Sequence, residues 1–314
     1  MTRLAIISNP LSDGNSGRKG IPVNADRAVT RPDTLFAAPA ALDELPAVLH
    51  GFAEAGVEML AIDGGDGTVR DVVSLLPWTF GDAWPTLAIL PSGKTNVIAR
   101  DVGGFGHGAA GMAHLFARLD NKPIRFAERP CLDVSWTDDG HQHTALGFVL
   151  GAGVYSYATQ MAGTWSHDRG VKQGRAVALV IARLLAKWRR GDAREGIADL
   201  SVTPENEIPA PPEPHFLALT TSLDRLMLGL WPFPKDGDGG LHWLAMTAPP
   251  QHLIRDLWRA WRGKVTLGEG IRGGRAETLE LRLSEPFVLD GELYHPGADG
   301  VVVRTGPTLR FLAP

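Results

Sequence analysis

Gly64-Gly65-Asp66-Gly67-Thr68 joins an apolar run, Met59–Ile62, to the segment Val69–Leu76, whose apolar residues recur at helical spacing. A strand that turns through glycines into a helix N-terminus presents unpaired backbone N–H groups, and such a turn suits a phosphate. Glycine lets the backbone approach an anion and take positive φ. Asp66 could hold a metal-bound water or a ligand hydroxyl, and Thr68 could donate a hydrogen bond or cap the helix. A plain strand–helix connection with an Asx turn would use the same residues without any ligand.

The flanking sequence sets this turn in a parallel α/β sheet. Strand-like runs at Leu4–Ile7, Met59–Ile62 and Thr86–Leu90 alternate with helical patterns at Ala41–Ala55, Thr95–Asp101 and Ala109–Leu119. Residues 10–34 are rich in Gly, Pro, Arg and Asp, lack periodicity and read as a long loop. Beyond Pro123 the pattern changes to short runs such as Leu132–Trp136, Thr144–Leu150, Phe216–Thr220, Leu241–Ala245, Thr278–Leu283, Phe287–Leu289 and Val301–Val303. Many short strands between turn residues indicate an antiparallel sandwich or barrel, interrupted by helical patterns near 173–190 and 251–262. The expected domains are therefore 1–123 (α/β, parallel sheet) and 124–314 (antiparallel β-sandwich), the last residues being able to return to the first domain.

The 314 residues suit two domains, and 44% hydrophobic with 21% charged residues describes an ordinary globular chain with ample core. One cysteine, Cys131, excludes an internal disulfide and a cysteine metal site, and fits a reducing compartment. The N-terminus enters a strand-like run at once, leaving no room for a signal peptide, and no apolar run approaches the ~20 residues that span a bilayer. The expected location is cytoplasmic, or peripheral at the inner membrane face. A net charge of −4 gives nucleic acid no bulk attraction.

Two further motifs lie where the same sheet edge is expected. Pro91-Ser92-Gly93-Lys94-Thr95-Asn96 also follows a strand and opens a helix, so it can face the Gly64–Thr68 turn across a crevice. Its Gly-Lys-Thr triplet is not a Walker A loop, because position 88 is Ala where that loop needs glycine. Asn9-Pro10, with Asn15-Ser16-Gly17-Arg18-Lys19, adds a third candidate loop carrying two cations. Each of these is also an ordinary turn when taken alone.

In this order, the motifs resemble those of the diacylglycerol kinase catalytic-domain family, which includes bacterial lipid kinases and the sphingosine and ceramide kinases. The resemblance implies a phosphofructokinase/NAD-kinase-like α/β domain, a β-sandwich that receives the lipid, and ATP held between them. It implies nucleotide binding by Asn9, Pro10, Gly64, Gly65, Asp66, Gly67, Thr68, Gly93, Lys94, Thr95 and Asn96. Gly147–Tyr155 resembles the segment entering the second domain, and Lys235–Leu241 the family's Asp-Gly-Leu segment. Asp290-Gly291-Glu292 resembles its late acidic motif, which makes Asp290 and Glu292 the expected catalytic base and its partner. Asp238 and Asp66 are the expected Mg²⁺ ligands, oxygen-only coordination being what that ion takes. By form alone, Phe287–Tyr294 is also a β-hairpin with an Asp-Gly turn. The chain departs from the family where a hydroxyl is usual at 94 and an acid at 97: it has Lys94 and Val97.

The expected activity is ATP- and Mg²⁺-dependent phosphorylation of a lipid hydroxyl, of diacylglycerol or a sphingoid-type alcohol. An NAD kinase, which also uses a GGDG turn, and a catalytically silent nucleotide- or lipid-binding protein are the alternatives. A lipid substrate requires membrane access. Residues 176–190 and 251–262 read as basic amphipathic helices for an anionic surface, the second opposing Leu253, Leu257, Trp258 and Trp261 to Arg255, Arg259 and Arg262. Homodimerisation stays open.

Overall fold

Short, uninterrupted apolar runs suit strands buried on both faces, and that is how the N-terminal runs fold. A computed structural model describes residues 3–15, 33–121, 124–169, 196–234, 237–268 and 270–314. The helical reading over 173–190 and the Ser16–Lys19 part of the first motif lie outside the described residues. The chain divides into two compact units, Met1–Pro130 with Pro307–Pro314, and Cys131–Gly306.

In the first unit β1 (Leu4–Ser8), β2 (Thr34–Ala37), β3 (Met59–Gly64) and β4 (Thr86–Pro91) form a parallel sheet in the order β2-β1-β3-β4. Every residue of β1 and β3 is buried. The register sets Ser8 beside Asp63 and Asp63 beside Leu90. Asn9, Gly64 and Pro91, the first residues of the three motifs, therefore leave the sheet level with one another at its C-terminal edge.

Helix α1 (Leu45–Glu54) buries Leu45, Leu49 and Phe52, and α2 (Asp66–Thr79) buries Val69, Val72, Val73 and Leu76 at the spacing of one helical face. A short α3 (Val97–Val102) and α4 (Gly108–Asp120) follow. Leu4, Ile6, Met59, Ala61, Ala88 and Leu90 pack against Phe105, Met112 and Leu115. The chain's last strand also joins this sheet, Phe311 pairing in parallel with Leu87.

The second unit is antiparallel. Its strands are β5 (Arg125–Asp138), β6 (His141–Gly147), β7 (Val149–Gly153), β8 (Ala198–Pro204), β9 (Glu213–Thr221), β10 (Leu241–Thr247), β11 (Ile271–Ala276), β12 (Thr278–Leu283), β13 (Phe287–Leu289), β14 (Glu292–Tyr294) and β15 (Val301–Ala313), the unit boundary falling within β5 and β15. Neighbours run β14-β13-β7-β9-β8-β12-β15, and β10 lies between β9 and β11. In β12 the buried Leu279, Leu281 and Leu283 alternate with exposed Glu280 and Arg282, the signature of a half-buried antiparallel strand. One core gathers Trp136, Leu150, Trp243 and Phe287; another gathers Phe216, Phe233, Leu244 and Met246 with α5 (Val154–Arg169) and α6 (Leu253–Trp261).

Four described elements escape the sequence pattern. The half-buried β2 has four residues, and β8 lies in a stretch where no run was read. β11, Ile271-Arg-Gly-Gly-Arg-Ala276, has no apolar alternation and is a strand through its pairing with β10. Helix α5 carries Tyr155, Tyr157 and Thr159, poor helix formers that mask its periodicity. The run read as one strand over 144–150 is split at Phe148.

Cys131 is buried, and burial pushes its thiol up to about 12; its own backbone hydrogen bond opposes this, and Asp133 and Asp290 add to it. His242 moves the other way. Burial first, then the Arg275 guanidinium, hold it below the usual imidazole value, with Asp224 opposing. Its ring lies 5.0 Å from Trp231 and 5.8 Å from Phe233, and its Nδ1 has no hydrogen-bond partner among the described residues. A depressed pKa means that the folded chain binds fewer protons than the unfolded one. The contribution is full above the unfolded value of about 6.5 and is lost as pH falls through and below it. Melting temperatures taken from pH 7.5 to pH 5 should therefore decline, and His242→Phe should flatten that decline.

Candidate functional site

Asp63, fully buried at the end of β3, organises the sheet edge. Its carboxylate accepts hydrogen bonds from Ser8 Oγ (2.7 Å), Asn15 Nδ2 (3.2 Å) and Ser92 Oγ. One side chain thus ties the ends of β1, β3 and β4 to the loop over 9–15. Hydrogen bonds to a charged group contribute about 1.5–3 kcal/mol each. Asn9 completes the junction. Its N–H donates to Asp63 O (2.9 Å), its Nδ2 to Thr68 Oγ1 (2.8 Å), and its Oδ1 accepts from Leu11 N (2.9 Å). Asn15 Nδ2 reaches Asn9 O at 3.0 Å, and Gly14 N donates to Ser92 O at 2.8 Å. Pro10 follows within this pinned loop.

The glycines of the central turn are required for close packing, where positive φ was the expectation. None of Gly64, Gly65, Gly67 and Gly93 is among the positive-φ residues. A Cβ on Gly64 would stand 2.5 Å from Thr68 Cβ, and a Cβ on Gly93 would stand 2.5 Å from Gly65 Cα. The two glycine turns therefore meet backbone to backbone, correcting the expected crevice between them. Gly67 differs, since among the described residues the only atom near its missing Cβ is Arg70 Nη2 at 4.0 Å. It sits in the first turn of α2, where the N–H groups of Asp66, Gly67 and Thr68 have no acceptor inside the helix. Among the described residues, positive dipole, donors without a helical acceptor and an open approach coincide at this point.

Asp66 has a defined structural task. Its Oδ2 accepts from Thr95 Oγ1 (2.7 Å) and Val97 N (3.0 Å), and its Oδ1 accepts from Ile98 N (3.0 Å). The acid of the first turn thus caps α3 from outside, while Asn96, the residue in the capping position, makes no side-chain cap. Three of its roughly four acceptor directions are taken. Asn96 instead sits at φ 50° and braces Gly93, donating Nδ2 to Gly93 O (2.6 Å) and accepting from Gly93 N at Oδ1 (2.9 Å). This explains the departures at 94–97: the Thr95 hydroxyl serves Asp66, position 97 contributes its backbone N–H, and Lys94 is exposed.

In the second unit Asp290 and Gly291 have φ of 47° and 89°, both positive, as a two-residue type I′ hairpin between β13 and β14 requires. The expected hairpin is present, and its Asp does more than turn the chain. Asp290 Oδ2 accepts from Phe148 N and Oδ1 from Val149 N, each at 2.9 Å, while Asp290 N donates to Val149 O at 2.9 Å. These bonds interrupt the strand at Phe148. They also require Gly147, since a Cβ there would lie 2.7 Å from Asp290 Oδ2. Glu292, two residues on, is exposed. The two carboxylates therefore differ in burial, Asp290 being buried and held by backbone N–H groups and Glu292 exposed.

Asp238 is exposed on a loop whose glycines are explained by close approach. Gly239, at φ 125°, would place a Cβ 2.3 Å from the carbonyl carbon of Ala276, and one on Gly240 would stand 2.3 Å from Thr305 Cγ2. Lys235 and Asp236 lie outside the described residues. Among the described residues no group of three or more His, Cys, Asp or Glu side chains is placed to hold a metal ion. Asp66 and Asp238 belong to different units. A phosphate-bound divalent cation needs only one or two carboxylates, because phosphate and water complete its shell. Asp66 keeps one acceptor direction that such a cation could use.

Sequence reading missed Asp63, Ser8 and Ser92 as functional positions. The available signal was register: a lone acid ending an apolar strand, level with Ser8, one residue before the glycine turn.

Residues 3–127 match the family model of the diacylglycerol kinase catalytic domain. No curated protein matches the chain. Three solved structures from Bacillus anthracis str. Sterne share its fold at 15%, 15% and 14% identity, with TM-scores of 0.65, 0.64 and 0.58. Each alignment covers 100% of this chain and 97% of the other. The first two bear the name diacylglycerol kinase provisionally, the third outright. The diacylglycerol kinase resemblance is thus shown by sequence over 3–127 and by fold over the whole chain. That fold is an N-terminal α/β domain on parallel strands followed by a β-rich domain of antiparallel strands. Among the described residues no helix is long and apolar enough to cross a membrane.

Proposed function

We propose that the protein is a lipid kinase that transfers the γ-phosphate of ATP to a lipid hydroxyl, that of diacylglycerol or a sphingoid-type alcohol. The observation that carries this reading is the open N-terminal turn of α2, at Gly67, inside the segment that matches the diacylglycerol kinase catalytic domain. The family implies ATP and usually a divalent metal, here Mg²⁺.

The N–H groups of Asp66–Thr68 bind a phosphate oxygen at the positive end of the helix. Gly64 and Gly65 let the turn pack tightly, Asn9 and Pro10 position it from β1, and the Gly93–Asn96 turn lines the nucleotide, with Lys94 adding a cation. Asp66 fixes that second turn by capping α3. The candidate Mg²⁺ ligands are Asp66, through its remaining acceptor direction, and Asp238. Mg²⁺, when bound with ATP, neutralises charge on the phosphate oxygens. Glu292 takes the proton of the lipid hydroxyl as its oxygen bonds to the γ-phosphorus and the bond to ADP breaks. Asp290, committed to Phe148 and Val149, is the positioning residue that holds the hairpin.

Two glycine substitutions separate binding from folding. Gly67→Ala suits a helical first turn but covers the open approach, so it should raise KM for ATP about tenfold or more with an unchanged melting temperature. Gly93→Ala forces a backbone clash and should destabilise by about 1–3 kcal/mol. Steady-state kinetics beside thermal melts separates the two. The function itself is tested with γ-labelled ATP and diacylglycerol or sphingoid alcohol in detergent mixed micelles, with NAD as a competing acceptor. A labelled phospholipid supports the proposal; label on NAD alone, or on nothing, opposes it.

A further inference from the structure

Helix α6 does not bury the face that its sequence offers. Leu253, Asp256 and Ala260 pack inward, whereas Ile254, Trp258 and Trp261 are 67%, 51% and 60% exposed. Of the apolar residues read on one face, Leu253 is buried and both tryptophans are exposed. Spaced i, i+4 and i+7, Ile254, Trp258 and Trp261 form a continuous ridge pointing to solvent. A large exposed apolar ridge on a folded surface marks an interaction site more often than a free surface.

Cations flank this ridge. Arg255, Arg259, Arg262 and Lys264 lie within one short segment against Asp256 as the only acid, in a chain whose net charge is −4. The Arg262 guanidinium carbon lies 3.7 Å from the centre of the Trp258 ring, so charge and aromatic are presented together. Arg255 Nε is 3.2 Å from Asp256 Oδ1, which partly offsets that arginine. Beside the helix is a cavity of about 380 Å³ lined in part by His252, Arg255, Asp256, Arg259 and Thr266, with Leu267, 42% exposed, among its lining residues. Its size and donors suit a phosphate headgroup.

We propose that the outer face of α6 docks the protein on an anionic lipid bilayer. The two tryptophans and Ile254 enter the headgroup boundary, and the arginines engage lipid phosphates. Tryptophan prefers that boundary and arginine is drawn to anionic lipid. A second copy of the chain is disfavoured, because a two-fold contact through this face would set its cations against themselves. The proposal names a partner for the lipid-kinase reading but requires no catalysis, so the two can fail independently.

The test is sedimentation of the full-length protein, without ATP, with vesicles of phosphatidylcholine alone or containing anionic phosphatidylglycerol. The wild type should bind the anionic vesicles, weakening as salt rises. Trp258→Ala/Trp261→Ala should lower partition by about tenfold or more, and Arg259→Gln/Arg262→Gln by roughly fivefold for each charge removed. Trp258, Trp261 and Arg262 are exposed and Arg259 is half-buried, and phosphorylation of detergent-dispersed lipid should be unchanged. Brominated acyl chains should quench wild-type tryptophan fluorescence, a second readout that needs no variant. Equal partition of wild type and the tryptophan variant, absence of wild-type binding, or an acidic protein or second copy held by this face in place of vesicles would each overturn the proposal.

Discussion

Replacing Glu292 with glutamine is expected to lower kcat for phosphoryl transfer by about 10²- to 10⁴-fold, the usual contribution of a positioned general base. Thermal stability and ATP affinity should stay at wild-type levels. The side chain is exposed on β14 and keeps its shape in the variant, and the hairpin is held by Asp290. What is lost is the capacity to take the proton of the attacking hydroxyl. Because phosphoryl transfer depends mostly on positioning and electrostatics, some residual turnover should remain. Undiminished kcat in Glu292→Gln would remove this residue from the chemistry.

Asp290→Ala should fail in a different way. Two backbone N–H groups, of Phe148 and Val149, would lose their carboxylate acceptor in a buried setting. Each unsatisfied group costs about 1–3 kcal/mol, and alanine at φ 47° forfeits the tolerance that aspartate has for the left-handed region. A loss on the order of 3 kcal/mol or more is expected, read as a lower midpoint in urea unfolding. Asp290→Asn, which accepts one hydrogen bond in place of two and tolerates the turn, should fall between. Full stability with abolished turnover in Asp290→Ala would reverse the assignment and make Asp290 the base.

These two acids show how far the sequence could be read. The type I′ hairpin was legible from Asp-Gly between apolar runs, since turn chemistry is local. The bonds from Asp290 to residues 148 and 149 were not, because they link positions about 140 apart that only folding brings together. The parallel strands β1, β3 and β4 were legible because burial on both faces leaves a continuous apolar run, whereas the half-buried β2 was missed and β11, with two glycines and two arginines, depends on β10 for its existence. In the candidate nucleotide turns, motif order placed Gly64–Thr68 and Gly93–Asn96 at one sheet edge. The sequence could not reveal that Gly65 and Gly93 touch, that Asp66 caps α3, or that Asp63 holds three strand ends. The apolar stripe of α6 was visible, but which part of it meets solvent is decided by packing on the second unit.

The most direct test of the lipid-kinase account is mass spectrometry of a whole membrane-lipid extract incubated with the protein, Mg²⁺ and ATP carrying an isotope in its γ-phosphate. The account predicts a labelled phosphorylated lipid, formed by the wild type and strongly reduced with Glu292→Gln. Nucleotide binding with no labelled lipid from any fraction of the extract would contradict it.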